Sequence, residues 1–241
     1  MKEPRFETIQ DKESTLPEQA AEQISRLIVD RRLTSEDKLP SEFELAEQLN
    51  VGRGTIREAV KLLVARNVLD IRRGKGTYIT KNPGEVPDPL GFRYYPDQFR
   101  LALDLAEIRL QMEPWAAALA AERASETDLK KLREACLAVE RDILAEQNHS
   151  QSDVQFHIAI ANCTQNLVVP KLIPIITYAV ELFVSLTESR LKAQTLLDHK
   201  EILDAISRRD SQRAKETMAR HIDYNKNLLE KIIQSFQKES S

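Results

Sequence analysis

The stretch SDVQFHIAIA sets Asp153 and His157 four residues apart, one above the other on a helical face whose other positions are mostly apolar. Two of the remaining three histidines sit on apolar helical stripes as well. His199, in LLDHKEIL, shares a stripe with Leu196, Ile202 and Ile206, and His221, in TMARHIDY, follows Met218 and precedes Leu228. Titratable groups aimed into a core are costly unless something pairs with them. One carboxylate and three imidazoles converging from three helices would satisfy one another around a cation. Asp/His sets of this kind suit zinc, nickel or manganese, zinc first, with positions left open for water or a ligand. Spacing alone also admits three separate core histidines bonded to neighbours, because only Asp153 and His157 have local metal-ligand spacing. His149, in the polar run EQNHSQS, falls in an expected loop and receives no role. Cys136 and Cys163 lie in apolar helical patterns without metal-like spacing, as core residues of a reduced intracellular protein would.

A second group of residues carries a different chemistry. Between Arg53 and Lys81 there are eight basic residues against two acidic ones, in a chain whose net charge is −3. A local surplus of that kind is the electrostatic pattern of a nucleic-acid face, though a solvated basic patch has the same composition. Arg53, Thr55 and Arg57 open an apolar-periodic segment, where a DNA-reading helix places its base-contacting side chains. Arginine reads guanine bidentately. Arg73, Gly74 and Lys75 make a narrow basic tip able to enter a minor groove or grip phosphates. Ser41 and Thr55 add hydroxyls at helix starts, where phosphates bind well.

The elements that position these groups differ between two parts of the chain. All six glycines precede residue 92, and the following 150 residues have none, so the C-terminal part is expected to be all helix. Helices are predicted near 98–123, 126–147, 150–163, 166–191, 194–208 and 210–236, with 237–241 frayed; Ser125, Asn166 and Asp210 are start signals. In the N-terminal part, PEQAAEQISRLIVDRR is helical, LPSEFELAEQLN starts a helix with Ser41 and Glu44 as a capping box, and VGRGTIREAVKLLVARN buries Ile56, Val60, Leu63 and Val64. VLDIRRGKGTYIT reads as two strands around a Gly-Lys-Gly turn. The fold class is therefore mainly α: a winged helix-turn-helix with a β-hairpin wing over 1–81, a proline-rich linker over 82–97, and an all-α bundle over 98–237. No apolar run approaches membrane-spanning length and the N-terminus has no signal-peptide core, so a cytoplasmic location without membrane contact is expected.

The order LPSE, LA, VGR, REA and GKG over LPSEFELAEQLNVGRGTIREAVKLLVARNVLDIRRGKGTYI closely resembles the winged-helix domain of the GntR family of bacterial transcription regulators. The resemblance implies operator contact by Arg53, Thr55, Arg57, Arg73, Gly74 and Lys75. Phe43 departs from it, standing where some relatives carry a DNA-contacting arginine, and Gly52 and Gly54 flank Arg53 where hydroxyl residues are frequent, so the operator sequence does not transfer. Likewise EIRLQMEPWAAALAAERASETDLKKL, DVQFHIAIANCTQNLVV and the segment around His199 and His221 look like the FCD effector domain of the FadR subgroup. That resemblance implies a divalent metal on Asp153, His157, His199 and His221. Arg109 reads from the residues as a surface arginine paired with Glu113. The resemblance places its guanidinium in the effector pocket, where it suits a carboxylate. Asn166 matches an asparagine common in the family, which implies a place beside Arg109 in effector binding, but helix capping explains it equally well. The expected protein is a homodimeric, non-enzymatic DNA-binding regulator, a repressor by family analogy, controlled by a small organic acid. Sugar acids, hydroxy acids and dicarboxylates all fit, and sugar acids are the first choice. Two alternatives stand beside it: a metal-dependent hydrolase or lyase carrying a DNA-binding domain, and a regulator whose signal is the metal itself.

Overall fold

The computed structural model describes residues 14–187 and 191–239. The chain divides into two compact units, one ending at Pro89 and the other beginning at Leu90. In the first, helices α1 (Leu16–Asp30), α2 (Glu42–Leu49) and α3 (Arg53–Ala65) precede strands β1 (Leu69–Arg72) and β2 (Gly76–Ile79). Thr15 with Glu18 and Ser41 with Glu44 form capping boxes. Each hydroxyl accepts from the glutamate N–H, and each carboxylate accepts from the cap residue's N–H. Asn50 closes α2 in the left-handed region (φ 50°), which asparagine tolerates, and the chain turns directly into α3. Ile24, Ile28, Leu45, Ile56, Val60, Leu63, Leu69 and Ile79 form one core. Val64 departs from expectation: it is 38% exposed, and Ala59 takes the buried place beside Val60.

The antiparallel hairpin pairs Leu69 with Ile79 and Arg72 with Gly76, so its turn is Arg73-Gly74-Lys75 rather than Gly-Lys-Gly. Gly74 lies at φ 72°, a conformation that costs glycine little. The Leu39 N–H donates to Thr77 O at 2.9 Å and braces the hairpin from its other edge.

The second unit consists of α4 (Gln98–Arg123), α5 (Glu126–Leu144), α6 (Ser150–Cys163), α7 (Val169–Ile176), α8 (Tyr178–Leu186), α9 (Lys192–Ser207) and α10 (Ser211–Glu239). Ser125 caps α5, and Asp210 accepts from Arg213 N–H at the start of α10. Helix α10 continues through Glu239 where fraying was expected; Ser240 and Ser241 lie outside the described residues. Helix α4 is the axis of the unit. It buries Leu101, Leu105, Arg109, Glu113, Ala117, Ala120 and Ala121, and its alanines let α6, α9 and α10 approach closely. Ala120, Leu132, Val139, Phe156, Ile160, Ile202, Ile206, Met218 and Ile222 form the main core. Cys136 and Cys163 are buried in it, and burial pushes the Cys163 thiol up to about 12.

The single helix expected over 166–191 is two helices. Thr177 donates its hydroxyl to Pro174 O (3.1 Å), and Val180 N–H turns to Thr177 O (2.8 Å) in place of the regular ladder. Pro174 has already removed one ladder bond. Val169–Leu186 is also an 18-residue stretch of mean hydropathy 1.6, apolar and long enough to span a bilayer, which the sequence was not expected to contain. In the structure it is interrupted at Thr177, and Val169, Ile173, Ile176, Ala179 and Phe183 turn into the interior of the unit.

Candidate metal centre and DNA-reading surface

Four helices bring the polar residues of the second unit to one buried place. Helix α4 supplies Arg109 and Glu113, α6 supplies Asp153 and His157, α9 supplies Asp198 and His199, and α10 supplies His221. All seven are at most 6% exposed. One nitrogen from each of His157, His199 and His221 falls within 4.8 Å of the others, a spacing that can hold a metal ion. Asp153 Oδ1 lies 3.4 Å from His157 Nε2 and 3.3 Å from His199 Nε2. Neither approach is aligned as a hydrogen bond, and Asp153 Oδ1 and both ring nitrogens of His199 remain without a hydrogen-bond partner. Buried acceptors left facing one another need a donor or a cation between them. Nitrogen and carboxylate donors in this number fit a divalent transition metal such as zinc.

Arg109 is paired with Glu113, but the pair is buried rather than at the surface: Arg109 is 1% exposed and Glu113 2%. Arg109 Nε donates to Glu113 Oε1 at 2.5 Å, and its Nη2 lies 3.3 Å from His157 Nε2, at the histidine cluster. Glu113 Oε2 lies 2.5 Å from His157 Nδ1, off the axis of the ring N–H. Burial alone would raise the Glu113 carboxyl, but the charges of Arg109 and His157 hold it well below the usual carboxylate range. Asp153 is lowered in the same way by the surrounding histidines against the effect of burial. His157 is raised, since Glu113 and Asp153 outweigh its burial, whereas burial keeps His199 well below its ordinary value. Glu113, Asp153 and Asp198 are thus ionised; Arg109 pairs with Glu113 and Arg220 lies 3.2 Å from Asp198, which leaves the Asp153 carboxylate for a cation held with the histidines.

The sequence reading missed three residues here. Glu113 appeared only as the partner of a surface pair, and Asp198 not at all. Its visible signal was a carboxylate directly before a ligand-type histidine. His149 stands in a loop as expected but is buried to 2% exposure, with Nδ1 unpartnered and its pKa lowered by burial. Asn166 Oδ1 accepts from the N–H groups of Val168 (2.8 Å) and Val169 (3.2 Å), so its side chain starts α7, the capping role.

On the first unit, α3 begins at Gly52 with no side-chain cap, leaving its first-turn N–H groups for an outside acceptor. Arg53 and Arg57 are exposed and Thr55 is half-buried. Arg57 Nη2 is 3.2 Å from Glu42 Oε2 in the first turn of α2, which fixes where this guanidinium points. Ser41 accepts from Glu44 N–H and keeps its hydroxyl proton for another acceptor. Arg73, Gly74 and Lys75 are exposed at the wing tip, and Arg72 lies 4.2 Å over the Tyr78 ring.

These features define a winged-helix DNA-binding protein joined to an all-helical unit. Residues 16–79 match the bacterial regulatory proteins of the gntR family, and residues 104–224 match the FCD domain. The chain is 31% identical over 223 residues to the putative L-lactate dehydrogenase operon regulatory protein of Escherichia coli K12, covering 87% of this chain and 84% of that one. It is 30% identical over 213 residues to the Uxu operon transcriptional regulator of the same organism, covering 83% and 81%. The solved structure of the Streptococcus agalactiae GntR protein is similar with a TM-score of 0.75 at 37% identity, over 88% of this chain and 99% of that one. The chain belongs to the GntR family of bacterial transcription regulators and carries an FCD domain in its second unit.

Proposed function

We propose that this regulator is a homodimeric repressor whose operator affinity is set by a small organic acid bound beside a metal ion. Arg53, Thr55 and Arg57 read the major groove, Ser41 holds a phosphate, and Arg73, Gly74 and Lys75 of the wing grip the neighbouring groove or backbone. A two-fold dimer of such heads calls for a palindromic site. Asp153, His157, His199 and His221 hold one divalent ion, zinc by the character of the donors. When bound, the ion supplies a positive centre for a carboxylate or hydroxyl of the acid. Arg109, already at the cluster, offers the second anchor. Asn166 is left with its helix start. The protein acts in the cytoplasm, where its DNA is.

The observation that carries this reading is the cluster of buried, unpartnered acceptors from Asp153 and His199 beside His157, His221 and a buried arginine. The names of the two relatives point to operons of organic-acid use in one case, and a hydroxy acid of the lactate kind joins the sugar acids as a first candidate. The test has three steps on the full chain: metal content after purification without chelator, a thermal-shift screen of hydroxy acids, sugar acids and dicarboxylates, and operator binding with each hit. A ligand of the folded state raises the melting temperature by mass action. We expect about one equivalent of metal per chain, and an acid that stabilises only the metal-loaded protein and weakens operator binding. Protein that takes up no zinc, nickel or manganese refutes the metal site. Operator affinity that follows zinc with no acid present assigns the signal to the metal instead.

A further inference from the structure

Three histidines converge on the centre, yet each ring is held differently on the side away from it. His157 has Glu113 Oε2 2.5 Å from Nδ1, and His221 Nδ1 makes a hydrogen bond of 3.4 Å with Asp198 Oδ2. His199 has no carboxylate on Nδ1; its ring lies on Phe156, centroids 4.1 Å apart and planes 20° from parallel. A carboxylate oxygen that close to an imidazole nitrogen cannot face a lone pair, so the nitrogen beside Glu113 carries the proton. In the metal-free centre the opposite side of His157 agrees: the Arg109 guanidinium 3.3 Å from Nε2 is a pure donor, and the lone pair it meets there is the one the ion would take over.

We infer that Glu113 and Asp198 are the positioning residues of the metal centre, each fixing its histidine as the Nδ1–H tautomer so that Nε2 is presented to the ion. This rests on the metal reading above and adds to it two residues that do not touch the ion. A carboxylate behind a metal-bound imidazole sets the ring's tautomer and orientation and raises its basicity. The two carboxylates are themselves anchored. Glu113 is gripped by Arg109 Nε at 2.5 Å, and Asp198 Oδ1 accepts from Gln194 (2.9 Å) and Arg220 (3.2 Å). Glu113 therefore serves two masters: one oxygen orients the arginine and the other orients the histidine. Asp198 ties the centre to the surface, since Arg220 also reaches Glu201 at 2.7 Å.

Zinc competition against a chromophoric chelator tests this on the full chain. Glu113→Gln and Asp198→Asn should each bind zinc about 10–100-fold more weakly than the parent, while Asp204→Asn, in a surface pair with Arg208 on the same helix as Asp198, should bind as the parent does. Imidazole nitrogen shifts in long-range proton–nitrogen spectra supply the readout that a purely structural role would not move. At a pH where both rings are neutral, the metal-free parent should show Nδ1–H at both His157 and His221, and each substitution should mix the tautomers of its own histidine only. If Glu113→Gln does not fold, Arg109→Met/Glu113→Gln removes the pair as neutral side chains and Asp198→Asn carries the second arm. Variants that bind zinc within twofold of the parent, or Nε2–H at either ring in the parent at a pH where that ring is neutral, overturn the assignment. A parent that binds no zinc while keeping both Nδ1–H tautomers overturns the metal reading and, with it, any role of these carboxylates in positioning ligands.

Discussion

Arg109→Met removes the cation from a buried ion pair and leaves the Glu113 carboxylate with the His157 ring as its close partner. Breaking such a pair from one side costs about 3–5 kcal/mol, because a charge stays buried without its partner. Coulomb's law gives the same scale: unit charges about 4 Å apart at an effective dielectric of about 20 attract by about 4 kcal/mol. His157 is already drawn toward its protonated form by Glu113, so proton uptake there recovers part of the loss. The expected cost is therefore at the lower end, about 3 kcal/mol. Glu113→Gln strands the guanidinium instead and should cost a similar amount. The double substitution Arg109→Met/Glu113→Gln leaves neither charge unpaired, and its cost should fall short of the summed singles by about 2–3 kcal/mol. Urea unfolding followed by fluorescence reads this directly, because Trp115 is the single tryptophan and lies two residues from Glu113 in α4. In thermal unfolding, at about 2–4 °C per kcal/mol, each single substitution should lower the midpoint by about 6–12 °C. Costs within about 1 kcal/mol, the range of a surface pair, or singles that simply add, would show that the pair is not the buried, coupled one described.

Arg53→Ala and Arg57→Ala should each lose about 1–3 kcal/mol of discrimination between operator and non-specific DNA, read by footprinting; variants that footprint like the parent would move the reading surface elsewhere. Metal uptake should depend on pH above the ordinary histidine range. Burial would lower His157, but Glu113 and Asp153 overcome it, so in the metal-free protein it contributes stability below about pH 6.5 that is lost as pH rises through its raised folded value. His199 is lowered by burial and has the opposite sign: its contribution is present above about pH 6.5 and lost as pH falls. Because ligation needs neutral rings, zinc affinity should weaken on acidification while pH is still above about 6.5, with protons released that calorimetry in two buffers can count. An affinity unchanged down to that pH would contradict the charge state given to His157. In the wing, Gly76→Ala would bring a Cβ against the end of the Lys38 side chain, which can move aside, but φ 120° strains any side chain there, so it should weaken DNA binding while leaving zinc uptake unchanged; operator binding equal to the parent would show that the hairpin tolerates the strain.

Much of the architecture was readable from local signals. The glycine boundary, the Ser41–Glu44 capping box, the Ser125 and Asp210 starts and the apolar stripes are written within a few residues of the places they act. A helix end or a buried face depends mostly on such neighbours, which is why α1 to α6 fall close to where periodicity put them. The Val169–Leu186 stretch was harder, since its apolar residues cover most sides and conceal the break that Pro174 and Thr177 impose. Asn166 carried two readings, and its hydrogen bonds to the start of α7 correspond to the local one.

The sequence by itself determined which residues of the second unit face inward: Asp153, His157, His199 and His221 follow from the period of their helices. Which atoms they meet was decided only by the packing of those helices. Arg109 and His157 are 48 residues apart and Asp198 and His221 are 23 apart, so no local rule links them. The stripe of α4 likewise gave no warning that Arg109 and Glu113 lie beneath the surface. Helical periodicity specifies a direction for each side chain, but a charge becomes stable inside a protein only through the partner on the facing helix, and that partner exists only once the bundle has closed.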